Sequence, residues 1–244
     1  YRTEADVDGI QFVTARGWED LSSLMKVYEE LGIPIDSGVV HEFLHHKETA
    51  QDAAAYFDLY RKYQDDYGIP DILAGRVKPQ VFARIEQAAF DERLSVVSLL
   101  TNGLAGFFQR AAQQTERTSL WYEFLKDYRS QLSDSRDPLL CYSRLVKSFE
   151  DIVRQEHEAG LINPSQYKNR EWLIRQLNKF MPQNGQTSQE AFASAKYGFD
   201  FQQETLENAE LAAGIALEYA FDFMEQAFLE GQEMVVFITD MTDS

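Results

Sequence analysis

The stretch FVTARGWEDLSSLMKVYEEL, residues 12–31, decides how this chain is read. A short apolar extended piece ends at Val13, and an amphipathic helix begins beside Ala15. Thr14 is placed to cap it, because its hydroxyl can accept one of the orphan backbone N–H groups of the first turn. Glu19 and Asp20 fall in the early turns, where negative charge suits the helix dipole. Trp18, Leu21, Met25 and Tyr28 recur at the spacing of one helical face, with Leu24 and Leu31 beside them. Arg16 is left at the helix start, where a cation is not favoured. Its guanidinium is either solvated, paired with a neighbouring acid, or completed by an anion. It is the one position whose local electrostatics point toward a function.

Working outward, Gly32-Ile33-Pro34 stops the first helix. Asp36 or Ser37 caps a second, Val39 to His46, and a third runs from about Glu48 to Tyr67. Tyr56, Tyr60, Tyr63 and Tyr67 form a helical stripe, read as a seam against another helix in preference to a ligand-stacking surface. Gly68-Ile69-Pro70 breaks the chain, a short turn runs from Asp71 to Ala74, and Lys78-Pro79 opens a helix through Ala89. The segment Gly68 to Pro79 divides the chain into a small helical subdomain, residues 1–75, and a larger helical body, residues 76–244.

In that body Asp91 caps a helix from Glu92 to about Leu132. Gly103 and Gly106 leave room for a close helix neighbour, at some cost in propensity. Residues Gln113 to Thr118 are all polar, so the helix is expected to be solvent-bridging or broken there. Asp137-Pro138 and Asn163-Pro164 both read as a cap followed by Pro at the first helical position. They open helices to Ala159 and Met181. Thr187 and Glu190 form a capping box for a last helix to Glu230, with a kink expected at Gly198. Only Ile10 to Val13 and Met234 to Ile238 read as strands. The expected fold is all-α, a multi-helix bundle with long helices in the C-terminal body.

The net charge is −17 over 244 residues, with a single cysteine. That charge argues against unspecific binding to nucleic acid or to an anionic membrane, both of which need clustered Lys and Arg. It suits a cationic protein partner. Cys141 has no second cysteine to pair with and reads as a small buried residue. No apolar run approaches the roughly 20 residues that span a bilayer, and the N-terminus has no apolar signal region. The first residue is Tyr1, and the apolar run Met234 to Ile238 lies almost at the end. Both features suggest a piece of a longer protein.

The sharpest motif match is His41-Glu42-Phe43-Leu44-His45, H-E-x-x-H. On a helix the two histidines lie one turn apart and can both reach a zinc ion, with the glutamate as base on bound water. The longer metalloprotease pattern continues with Gly and a third His, where this chain has Glu48 and Gln51. The favoured reading is a solvent-facing histidine cluster with no metal; a zinc hydrolase using His41 and His45 is the alternative. Asp65-Asp66 is read as a solvated pair in preference to a cation site. Neither G-x-x-x-x-G-K-[ST] nor G-x-G-x-x-G is present.

FVTARGWEDL, the helix after it, GIPID and the helix beginning VVHEFL together resemble the small helical lid domain of AAA+ ATPases, of the MoxR branch. The likeness extends to about Asp65. It implies that Arg16 is the sensor 2 residue, reaching the phosphates of ATP bound with Mg2+ on the AAA+ core of the same protein. Walker A, Walker B and sensor 1 would lie upstream, and this chain alone would neither bind nor hydrolyse ATP. The parent would be a cytoplasmic, homo-oligomeric, chaperone-like assembly or maturation factor. Its helical extension would bind a partner, in this family often a von Willebrand factor A domain protein. A stand-alone all-helical interaction module, with Arg16 in an ordinary ion pair, is the competing reading.

Overall fold

The computed structural model describes residues 2–6, 9–31, 33, 35–132 and 137–243. Strands β1 (Arg2–Asp6) and β2 (Gly9–Val13) pair antiparallel, with Arg2 opposite Val13 and Asp6 opposite Gly9. Everything else that is regular among the described residues is helical, so the all-α class stands with one hairpin added. Gly32 and Pro34, the expected stop of the first helix, lie outside the described residues. The chain forms two compact units. One comprises the residues up to Ile72, Arg76–Leu100 and Gln226–Thr242; the other comprises Leu73–Gly75 and Thr101–Glu225, with Asp243.

In the first unit, α1 (Ala15–Leu31) starts where Thr14 Oγ1 accepts the Gly17 N–H at 3.0 Å. Leu21 is fully buried, while Trp18 is 41% exposed and Leu31 also faces solvent. The buried face is therefore narrower than the apolar pattern suggests. Asp36 caps α2 (Ser37–Leu44), accepting the Val39 N–H at 2.9 Å. Val13, Leu21, Ile35, Val40, Leu44, Ala50 and Ala54 form one core, the last two from α3 (Lys47–Tyr67).

Gly17 explains how α1 and α2 come so near. A Cβ there would sit 2.4 Å from the backbone oxygen of Phe43. Backbone cannot step aside as a flexible side chain can, so Gly17→Ala is expected to destabilise this unit by about 1–3 kcal/mol. Its urea midpoint should fall; an unchanged midpoint would mean the two helices separate at no cost.

Three further expectations are corrected here. α2 does not reach His46: it ends at Leu44, and His45 adopts a left-handed φ of 48°. Leu44 and Ala50 are both buried in the same core, yet positions six apart on one straight helix diverge by about 120°. The chain turns at His45 and His46 so that both can point inward. After α4 (Ile69–Leu73) and α5 (Pro79–Gln87), α6 (Phe90–Leu132) begins before Asp91. The Arg93 N–H already bonds the Ala89 carbonyl at 3.0 Å, so Asp91 sits inside the first turn, where its charge suits the dipole. Finally, Met234 to Ile238 is not a strand but part of α10 (Gln232–Asp243). Glu233 and Phe237 are buried four residues apart while Val235 and Ile238 are exposed, a helical period with no alternation. Glu233 meets Arg93 at 3.1 Å, which compensates a buried carboxylate.

The tyrosine stripe of α3 is graded. Tyr67 is buried and its hydroxyl donates to Glu92 at 2.7 Å, while Tyr56 is 56% exposed. Arg84 lies over the Tyr67 ring and bonds Asp66 at 2.6 Å. The seam reading fits the Tyr67 end, and Asp66 is held by an arginine.

The second unit is built from α6 after Leu100, α7 (Pro138–Glu158), α8 (Pro164–Lys179) and most of α9 (Ser188–Phe228). Its caps follow the sequence. Asp137 accepts the Leu140 N–H at 3.0 Å, Asn163 and Gln166 satisfy each other's backbone, and Thr187 and Glu190 do the same. Tyr128 meets Phe192, Trp121 meets Phe199 and Gln114 meets Gln202, so α6 and α9 run antiparallel. The core gathers Trp121, Phe124, Tyr128, Tyr142, Leu173 and Leu177, with Cys141 among them as expected. α9 passes Gly198 as continuous helix. The glycine is there because a Cβ would lie 2.4 Å from the Phe180 ring.

Candidate functional site

Arg16 lies in the first turn of α1, which Thr14 caps through the Gly17 N–H. Its side chain is 89% exposed, and its Nε is 3.7 Å from Asp20 Oδ2, one turn on. A pair so exposed contributes little to stability, because water screens it and two mobile side chains must be held together. The guanidinium keeps most of its hydrogen-bonding capacity turned to solvent. The geometry is that of a cation presented outward at a helix N-terminus.

The H-E-x-x-H string straddles the end of α2. His41 and Glu42 are exposed near the end of α2, but His45 is the left-handed C-cap, and its N–H bonds the His41 carbonyl at 2.9 Å. His45 therefore lies just beyond the last residue of α2, in a left-handed conformation. His46, which the sequence reading makes the last residue of the second helix, is fully buried. Its Nδ1 accepts the Thr49 N–H at 3.3 Å and faces the Thr49 hydroxyl at 3.0 Å, which caps α3. No group of three or more His, Cys, Asp or Glu among the described residues is placed to hold a metal ion. His157 stacks on Tyr167 with ring centroids 3.9 Å apart, a packing role.

The polar stretch Gln113 to Thr118 is where the sequence reading falls short. α6 is neither broken nor solvent-bridging there. Asn169, fully buried on α8, donates to Glu116 at 2.6 Å and accepts from Arg117 at 3.0 Å. Gln202, buried on α9, donates to Gln114 at 2.9 Å and lies 3.3 Å from the Thr118 hydroxyl. Arg117 stacks over Trp172 at 4.7 Å. Burial lowers the Arg117 pKa, nearby Arg175 lowers it further, and Glu116 opposes both. One helix thus carries a partly buried polar layer satisfied by two others.

No family model, curated protein or solved structure matches the chain. The reading of function therefore rests on residues and geometry. Among the described residues no helix is long and apolar enough to cross a membrane.

Proposed function

We propose that this chain is the lid and helical extension of a MoxR-like AAA+ ATPase, with Arg16 as its sensor 2 arginine. The observation that carries the reading is the placement of Arg16: first turn of α1, exposed, and only loosely engaged by Asp20. A phosphate there would outcompete a solvated carboxylate, because guanidinium and phosphate make short, charge-assisted, often bidentate hydrogen bonds. The chain's own part is to present that cation. ATP with Mg2+ would be held by the AAA+ core of the same protein, and phosphoryl transfer would occur there. Arg16 would stabilise charge developing on the phosphoryl oxygens or tie lid position to nucleotide state. The second unit, in a chain of net charge −17, would serve as the platform for a partner with a basic surface, a von Willebrand factor A domain protein being one that the family often works with. The setting would be the cytoplasm and the parent a homo-oligomer with chaperone-like work.

The test is made in the full-length protein that the reading requires. Its reading frame upstream of Tyr1 must encode Walker A and Walker B motifs. In that protein Arg16→Ala should lower ATP turnover about 10²-fold, the scale for loss of one charge-stabilising donor. The thermal midpoint should stay nearly unchanged, since the side chain is solvated. Unaltered turnover in Arg16→Ala, or an upstream frame without those motifs, overturns the proposal. It would favour the stand-alone interaction module instead.

A further inference from the structure

The second unit contains a cavity of about 260 Å³ between α6, α8 and α9, just below the usual range of ligand-pocket sizes. Its walls include Arg117, Trp121, Trp172, Lys179, Phe180 and Gln202. Three observations concern the residues of its walls. First, Trp121 is buried to 1% exposure, and its indole N–H has no hydrogen-bond partner among the described residues. Buried donors are almost always paired, since an unpaired one forfeits its hydration for nothing. Second, Arg117 and Lys179 stand outside the ion pairs of this unit. Lys126, Arg154, Arg170, Arg175 and Lys196 each meet a carboxylate, whereas these two have none within ion-pair distance among the described residues. Neither cation is in direct contact with a carboxylate, although Glu116, held through Asn169, acts on Arg117 from nearby. Third, aromatic rings form much of the wall, with Gln114, Gln176, Gln202 and Thr205 completing it. The Trp121 and Trp172 rings meet edge-on at 5.7 Å, and Phe180 lies 6.0 Å from Trp121.

We propose that this cavity binds a small organic anion with a flat apolar body, an aromatic carboxylate being the chemical class. The carboxylate oxygens accept hydrogen bonds from Arg117 and Lys179, and the ring lies against the aromatic walls. Arg117 is already oriented before any ligand arrives. Asn169 holds its Nε and Trp172 supports its plane, so little order is lost on binding. Lys179 rests over the Phe180 ring at 5.2 Å. Gly198 leaves the space that Phe180 occupies in the wall.

Two other cavities of this unit lack these features. The one of about 370 Å³ beside Arg129 has both its lysines paired, Lys126 with Glu123 and Lys196 with Asp200. The one of about 460 Å³ beside Arg110 carries Glu116 and Asn169, which bond each other.

The inference is independent of Arg16 and is tested on the intact chain by following the tryptophan indole N–H resonances. The Trp121 signal is the one missing from Trp121→Phe. Benzoate should move it saturably, with a dissociation constant at least about tenfold lower than that of neutral benzamide, as a charge-assisted contact requires. Benzylamine, with the same ring and a positive charge, should leave it in place. Lys179→Gln and Arg117→Gln should each weaken benzoate about tenfold or more. Lys179 lies on the exposed last turn of α8, so its variant and the benzamide comparison decide the matter even where Arg117→Gln disturbs folding. Equal shifts with benzamide or benzylamine, no saturable shift with benzoate, or full affinity in Lys179→Gln overturns it.

Discussion

Trp121→Ala should destabilise the second unit by about 3–5 kcal/mol, the range for deleting a large buried aromatic. Trp121 sits on α6 where it faces both α8 and α9, touching the rings of Trp172, Phe180 and Phe199. Removing it takes apolar area out of the core and withdraws the edge that three aromatic neighbours share. The space cannot close easily, because a cavity already lies beside it. Trp121→Phe should cost much less than its lost volume implies, since it also removes a buried donor that bonds nothing. Urea unfolding followed by circular dichroism distinguishes the two. A loss below about 1 kcal/mol for Trp121→Ala would mean that the neighbours repack freely.

Alkaline pH should weaken the protein in a way that traces to particular tyrosines. Burial pushes Tyr128 up to about 12, with Cys141 and Asp137 adding to the shift. Burial also raises Tyr142, helped by Tyr128, and raises Tyr67, helped by its bond to Glu92. Tyrosine in an unfolded chain ionises near pH 10. As pH rises past about 10 the unfolded chain releases these protons while the folded chain retains them, so stability falls with pH. Below about pH 10 the contribution is fully present; for Tyr128 about 2–3 kcal/mol is lost by about pH 12. In the second unit, Tyr128 donates to the Pro138 carbonyl at 3.1 Å and Tyr142 to the Leu177 carbonyl at 2.9 Å. A phenolate would bring negative charge against each of those oxygens. The double variant Tyr128→Phe, Tyr142→Phe should be less stable at neutral pH, by the two lost hydrogen bonds, yet lose less as pH rises. Thermal midpoints across the alkaline range, with phenolate absorbance read alongside, give both slopes. Parallel slopes for parent and variant would refute the assignment.

Much of the helical framework is legible from end signals. Thr14, Asp36, Asp137, Asn163 and Thr187 act as caps where short polar side chains precede an apolar period. These signals are local: each needs only residues within one turn. Local patterns mislead where a tertiary demand overrides them. His45 and His46 resemble a helix continuing until Leu44 and Ala50 both have to face one core. Met234 to Ile238 is too short an apolar run for its period to be legible, and its true phase shows only once Glu233 is matched to Arg93. Gln113 to Thr118 resembles a solvated stretch because its partners, Asn169 and Gln202, lie 52 and 88 residues away from Arg117 and Gln114.

The candidate sites divide in the same way. Arg16 is visible in the sequence because its oddity is local, a cation in a first turn. The cavity beside Trp121 is not visible at all. In the sequence Trp121 is one more apolar residue on a helix face, and nothing local says that its N–H goes unpaired. That Lys179 and Arg117 meet at one wall depends on α6 and α8 lying together. Residue spacing within either helix carries no trace of it.

The amide of Gln202, buried between α6 and α9, also acts as an alignment key. Two long antiparallel helices joined only by interchangeable apolar side chains can sit in several phases of nearly equal energy, and a single polar residue in such a seam is known to select one. A slip of one turn would carry Gln202 away from Gln114 and Thr118 and strand its amide in the core, at about 1–3 kcal/mol. Asn169 imposes the same condition from α8 through Glu116 and Arg117. The polar layer therefore sacrifices some apolar burial to make one vernier setting of three helices the right one, so that every feature along their length, the cavity walls included, is brought into register at once.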